Sequence, residues 1–333
     1  MAIKQIRSSR IILNILALFI AILALIPLLG LILEGFHGIV NGSLNLGADG
    51  LKQIKGTLYL LFLTGISGGT LGTINGWLLA NCRFPGRKIL RIAQLLPLAT
   101  PAYLLAATLI DIGSIYSIQI YGMFWAVIIM SMTTYPYVFL LSTESFTISG
   151  RRQLEASRSL GIGPWSAFKR IALPMAIPAI GAGVALMGME VVNELGAVQL
   201  LNIPSISEGI VESWISQNNP SGAIALALIA LLIVMTLVAY EKNLRKRSRR
   251  WSEGLAGGES PAWKLTGLRA VLAQVLSIIP PLFTLGTPLI WAVINSEQLG
   301  KGFDLELVIL TLRSLGLGII ASLIVVGSAL LLA

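Results

Sequence analysis

The chain has 333 residues, of which 55% are hydrophobic and only 12% charged, and its formal net charge is +9. So apolar a balance excludes a water-soluble globular domain and calls for helices in a bilayer, where backbone groups must bond within their own segment. The single cysteine, Cys82, excludes a disulfide framework or multi-cysteine metal site, and basic residues dispersed at span ends without a binding motif exclude nucleic acid as a partner.

About 20 apolar residues cross the hydrocarbon core as a helix. Eight stretches reach that length: 11–33, 57–80, 89–110, 122–142, 174–196, 222–240, 270–294 and 308–333. The first exceeds the apolar core of a secretion signal and no small-residue cleavage site follows it, so it is expected to stay in the membrane. Lys4, Arg7 and Arg10 precede it, and Arg83, Arg87, Lys88 and Arg91 follow the second span. Arg151, Arg152, Arg158, Lys169 and Arg170 follow the fourth; a basic run from Lys242 to Arg250, then Lys264 and Arg269, follows the sixth. Only Lys52, Lys55, Lys301 and Arg313 lie elsewhere. The positive-inside rule therefore puts these loops and the N-terminus in the cytoplasm.

Within the second span, glycines from Gly65 to Gly76 lack the lysine of a phosphate loop and read as a close helix-packing seam. Cys82, at the cytoplasmic end of that span, reads as an inert thiol. Pro27, Pro97, Pro101, Pro136 and Pro178 fall in or near spans, where kinks are expected. His37, the sole histidine, lies in a Gly-rich outer loop and makes a histidine-based metal site improbable. Asp111 falls in the outer interface and is given no role.

One offset, 254, relates like residues across two pairs of spans: Arg10 to Lys264, Leu18 to Leu272, Pro27 to Pro281, Thr57 to Thr311 and Leu58 to Leu312. Residues 251–261 have the Gly/Ser/Pro character of a flexible linker. The chain thus divides into a first half, 1–250, with six spans and a cytoplasmic loop at 143–173, a linker at 251–263, and the start of a second half at 264–333. The last residues, Leu330 to Ala333, lie in an apolar run without a basic exit, and a truncated second half is the expectation. Internal repeats argue for a substrate path between the repeats.

The loop after the fourth span is the most informative stretch. Arg151 to Leu160 are good helix formers, with Arg151 and Glu155 four apart. Gly161 and Gly163 then break the helix, and Pro164 suits the first position of a new one. Trp165, Phe168, Ile171 and Ala172 fall at helical spacing on one face, which predicts an amphipathic helix under the membrane. On physical grounds alone, a solvated helical hairpin and a docking surface remain equal readings.

The spacing Glu155-Ala156-Ser157, three residues, Gly161, nine residues, then Ile171-Ala172-Leu173-Pro174 resembles the signature loop of permeases in binding-protein-dependent ABC importers. It departs only at Ser157, where the family has alanine. Arg83 to Lys88, Leu96 to Tyr103 and Glu190 to Leu201 are similar to the ferric-iron branch, in which fused two-half permeases are typical. The resemblance implies an all-α polytopic membrane protein with the type I, MetI-like helical bundle, in a bacterial inner membrane. It also implies no catalysis and no cofactor in this chain: ATP and magnesium would be bound by a cytoplasmic ABC ATPase homodimer. Glu155, Ala156, Ser157, Gly161, Ile171, Leu173 and Pro174 would couple to that ATPase, and a periplasmic substrate-binding protein would deliver cargo to the other face.

Ionisable residues inside spans are costly and default to function. Glu190 and Glu194 are one helical turn apart near the outer end of the fifth span, with Asn193 beside them. Hard ferric iron favours oxygen donors, so a translocation path along these residues is one reading; contact with outer water or neighbouring helices is the other. Glu208 and Glu212, four apart around a short helix in the outer loop, read first as a solvated face. The leading reading is therefore a permease for ferric iron; thiamine, sulfate, molybdate and polyamine importers share the loop and are the rival cargoes. An ion-coupled secondary transporter would explain the repeat but not the loop, and no nucleophile–base constellation favours a membrane enzyme.

Overall fold

The computed structural model describes residues 2–148, 151–252, 263–295 and 305–332. The expected linker lies outside them except for Trp251, Ser252 and Trp263. Among the described residues, seven helices are long and apolar enough to cross a membrane, and a bent helix pair, counted as one span, makes eight. The chain forms two compact units, one of residues 1–43 with 292–333 and one of residues 44–291.

The first unit holds α1 (Ala2–Val40), which carries Pro27 in its interior, and α14 (Leu305–Leu332). Where their side chains are described, both helices carry exposed apolar residues, among them Leu18, Phe19, Leu317 and Leu323. An exposed apolar helix surface suits lipid, not water.

In the second unit α2 (Gly50–Asn81), α5 (Met123–Ile148), α8 (Leu173–Asn193) and α11 (Pro220–Ser252) pack side by side. Lipid tails are as apolar as leucine, so small residues that let backbones approach drive the association. Gly72 shows this: a Cβ there would stand 2.8 Å from both the Tyr135 carbonyl oxygen and Val138 Cβ of α5. The glycine run expected in the second span thus serves two contacts, Gly72 and Gly76 facing α5, Gly65 and Gly69 facing Val184 of α8, and Gly68 meeting both. Tyr135, Phe139 and Met130 are fully buried behind it.

The third expected span, 89–110, is not a straight helix. α3 (Arg87–Ala93) and a 3-10 turn (Leu96–Ala99) meet α4 (Ala102–Ile115) at a bend of 88°. Pro97 and Pro101 supply no N–H, and Thr100, preceding Pro101, is forced into extended backbone at φ −103° and ψ 109°. Buried Gln94 holds the first arm by donating from Nε2 to the Ser277 carbonyl at 2.6 Å.

The sixth, seventh and eighth spans keep their expected places. The sixth runs past 240 to Ser252 through the basic segment, where Glu241 pairs with Arg245 one turn on. Two-residue strands β1 (Cys82–Arg83) and β2 (Trp263–Lys264) pair in parallel, tying the end of α2 to the start of α12 (Leu268–Pro281). After Pro280 and Pro281, α12 passes through a π turn (Leu282–Gly286) into α13 (Thr287–Ile294).

Candidate functional site

Two features stand out, at opposite ends of the bundle. The first is the loop. α6 (Arg151–Ser159) ends at Gly161, which takes the left-handed conformation at φ +74°. Ile162 N–H reaches back to the Ser157 carbonyl at 3.0 Å and Gly161 N–H to the Arg158 carbonyl at 3.0 Å. This pair of bonds is the Schellman termination, which satisfies carbonyls the helix leaves open. Gly163 then precedes Pro164, which opens α7 (Pro164–Ala167).

The second arm of the loop differs from the expected separate amphipathic helix. α7 passes through a π turn (Phe168–Ala172) directly into α8, so one span runs Pro164–Asn193. Pro174 has no N–H for the Arg170 carbonyl, and Leu173 N–H bonds to Phe168 across the wider turn. The extra residue rotates the face: Phe168 and Ala172 are buried, Ile171 is half-buried and Trp165 is 56% exposed. These four therefore do not share one buried face.

An aromatic box secures the root of the loop. Trp77 of α2 lies 5.6 Å from Phe146, 5.4 Å from Phe168 and 5.6 Å from Trp263, centroid to centroid. The Trp263 indole donates to the Ile162 carbonyl at 3.2 Å. Leu154 and Ala167 are fully buried beside it. Ser157 is also buried, its hydroxyl donating to the Leu154 carbonyl at 2.9 Å, so the serine fits without an orphaned polar group. Glu155, Ala156 and Leu160 stay exposed, as does Pro174, while Leu173 is half-buried. Leu160 is 79% exposed on the loop, and Trp165, also exposed, stacks on Phe168. Nothing in the spacing of the sequence announces Trp77 or Trp263, because both reach the loop only through long-range packing.

The second feature is a cleft of about 360 Å³ beside the bent helix pair, lined by Pro97, Thr100, Tyr103, Tyr137, Glu190 and Glu194 among others. Tyr137 donates its hydroxyl to Glu190 Oε2 at 3.5 Å. α8 ends at Asn193, so Glu194 is not a second rung of the same helix. Its backbone is extended; Oε1 accepts from Ala197 N–H at 2.9 Å and its carbonyl accepts from the Ser207 hydroxyl at 2.6 Å. Glu194 therefore opens α9 (Gly196–Leu200) as well as facing the cleft. Asn193 is exposed and is not among the lining residues. None of the lining residues is basic. Thr100 is 4% exposed, and its hydroxyl has no hydrogen-bond partner among the described residues.

The remaining ionisable groups have structural surroundings. Burial pushes the Cys82 thiol up to about 12 against the opposing pull of Arg87, which leaves it without thiolate reactivity near neutrality. Asp111 accepts from the Trp291 indole at 2.7 Å. Glu208 lies in the first turn of α10 (Ile206–Val211), whose N-cap is Ser205, and Glu212 follows its last residue. Gln53 donates to Glu212 at 3.2 Å, and Thr57 accepts from Ile206 N–H at 2.8 Å, so this segment is docked on α2 and is more than a solvated face. Among the described residues, no group of three or more His, Cys, Asp or Glu side chains is placed to hold a metal ion.

Comparison with known proteins agrees with this geometry. Residues 68–250 match the family described as binding-protein-dependent transport system inner membrane component. The chain is 28% identical over 204 residues to the Fe(3+)-transport system permease protein FbpB 2 of Haemophilus influenzae. That match covers 61% of this chain and spans 39% of the relative's length. It is also 28% identical over 200 residues to the sulfate transport system permease protein CysT of Escherichia coli, covering 54% of this chain and 70% of that one. A bacterial alginate ABC transporter, solved with a pentasaccharide-bound periplasmic protein, shares the fold with a TM-score of 0.52 at 15% identity, over 76% of this chain and 99% of that one.

Proposed function

We propose, for a chain that belongs to the binding-protein-dependent transport system inner membrane component family, that it is the membrane permease of an ABC importer and that its cargo is a cation, ferric iron. The observation that carries the cargo is the cleft lining, with two carboxylates and no basic side chain. A carboxylate-lined cleft lowers the energy of a cation and raises that of an anion. Sulfate, named for a relative of equal identity, is an anion and meets no lysine or arginine here.

In this reading a binding protein delivers the ion to the Glu190 end of the bundle and an ATPase pair docks on the exposed face of the 155–174 loop. The basic loop residues support a cytoplasmic position for that face. The 254-residue offset supports two halves, with 264–333 opening the second. Rocking between outward-open and inward-open states, driven by the ATPase, would move the ion by population shift.

The test separates path from fold. Glu190→Gln keeps shape and the Tyr137 hydrogen bond while removing charge, and should cut ferric uptake several-fold at unchanged protein abundance. Glu194→Gln also weakens a cap, costing about 1 kcal/mol, and should lower abundance as well. Parental ferric uptake in Glu190→Gln, or sulfate uptake by the parent chain, would overturn the cargo.

A further inference from the structure

A second hollow, of about 370 Å³, lies where the loop meets the membrane, between the end of α2 and the start of α12. Trp77, Trp165, Phe168, Leu272 and Leu276 form apolar walls and Arg269 stands among them; none of the lining residues is acidic. The cation of Lys169 lies 4.9 Å from the Trp165 ring centroid, which brings a second positive charge to the same rim. Both Lys169 and Arg269 are exposed.

The position limits what fills this groove. α2 ends at Asn81 and α12 begins at Leu268, so the rim lies at the membrane–water boundary, while Leu272 and Leu276 lead one turn after another into the apolar part of α12. A groove that starts at the boundary and continues to hydrocarbon depth fits a lipid, whose tail and headgroup divide at that level. Tryptophan favours the boundary, and lysine and arginine lay their stems on apolar surface while their charges reach the headgroups. Two cations at the rim select a negative headgroup.

We propose that this groove binds an anionic phospholipid, one acyl chain between α2 and α12 and its phosphate against Arg269 and Lys169. One wall is the Trp165–Phe168 stack of the loop, with ring centroids 5.3 Å apart, so the lipid would brace the loop from the membrane side. This holds whatever the cargo is.

Bromine on an acyl chain quenches tryptophan fluorescence on contact. The full chain, reconstituted in phosphatidylcholine vesicles, is compared with acyl-brominated phosphatidylglycerol and acyl-brominated phosphatidylcholine at equal mole fraction. Phosphatidylglycerol should quench more strongly, and Trp165→Phe should remove part of the excess. The double variant Arg269→Gln, Lys169→Gln should lose the excess while keeping the phosphatidylcholine quenching, which shows that it is folded and inserted. Equal quenching by the two lipids in the parent would overturn the proposal, as would an excess that survives the double variant. Fluorescence of Trp165 quenched by neither lipid would mean that protein, another span or a second copy of the chain, fills the groove, and would overturn it too.

Discussion

Gly161 has open space where a Cβ would stand, so its role lies in its backbone and not in crowding. At φ +74° a β-branched residue is disfavoured by about 1–2 kcal/mol, and the Schellman turn that aims Leu160 outward would loosen. Gly161→Val should therefore insert normally yet fail to co-purify with the ATPase proposed to dock there, and Gly161→Asn should retain more of that binding; undiminished co-purification of the valine variant would remove the loop from coupling. Glu208 permits a pH test. Burial holds its carboxyl above the ordinary 4.5, Glu212 raises it further, and a backbone hydrogen bond at Ser205 and the charge of Lys52 oppose both. The folded state then keeps the proton to higher pH than the unfolded one, so this residue's contribution to stability falls as pH rises from 4.5 through the raised value. Thermal midpoints across that window should decline less in Glu208→Gln than in the parent; identical slopes would show that the group does not titrate this way.

The helices are held by contacts that leave little tolerance. At Gly72 any side chain meets the α5 backbone, where the Phe139 nitrogen would stand 2.9 Å from a Cβ. Gly72→Leu should separate α2 from α5 at a cost of about 1–3 kcal/mol, read as a lower midpoint in detergent; a midpoint equal to the parent's would mean that the seam adjusts freely. The bend between α3 and α4 depends on more than its prolines. Pro97 and Pro101 weaken the helix locally, but the 88° angle is kept by the Gln94 bond to Ser277 and by Gly196, whose Cβ would stand 2.8 Å from Tyr103 Cβ. A kinked single span at 89–110 is what the sequence predicts, because proline in a membrane helix usually produces a tolerated kink, and the partners that enlarge it to this bend come from distant helices.

At the scale of the whole molecule, orientation across the membrane is measurable by thiol labelling, because the native thiol is buried. Cys82 is buried with its pKa pushed up to about 12, so it should resist a membrane-impermeant maleimide. Leu160→Cys, on a side chain 79% exposed, should label only after the membrane is opened, and Gln199→Cys should label in intact cells; the reverse pattern would invert the topology. The sequence by itself determined the membrane class, the approximate places of the spans, the helix stop at Gly161 and the small-residue seam from Gly65 to Gly76. Each depends on neighbours within one turn or one span: apolar length, a residue without Cβ, the spacing of small side chains. Only the tertiary structure decided the rest. It ended α8 at Asn193 while bringing Glu190 and Glu194 to one cleft, carried the loop's second arm into the fifth span, and brought Trp77, Phe146 and Trp263 round Phe168. These arrangements join residues far apart in the chain, and their energies come from burial and hydrogen bonds made across helices, for which local spacing carries no signal.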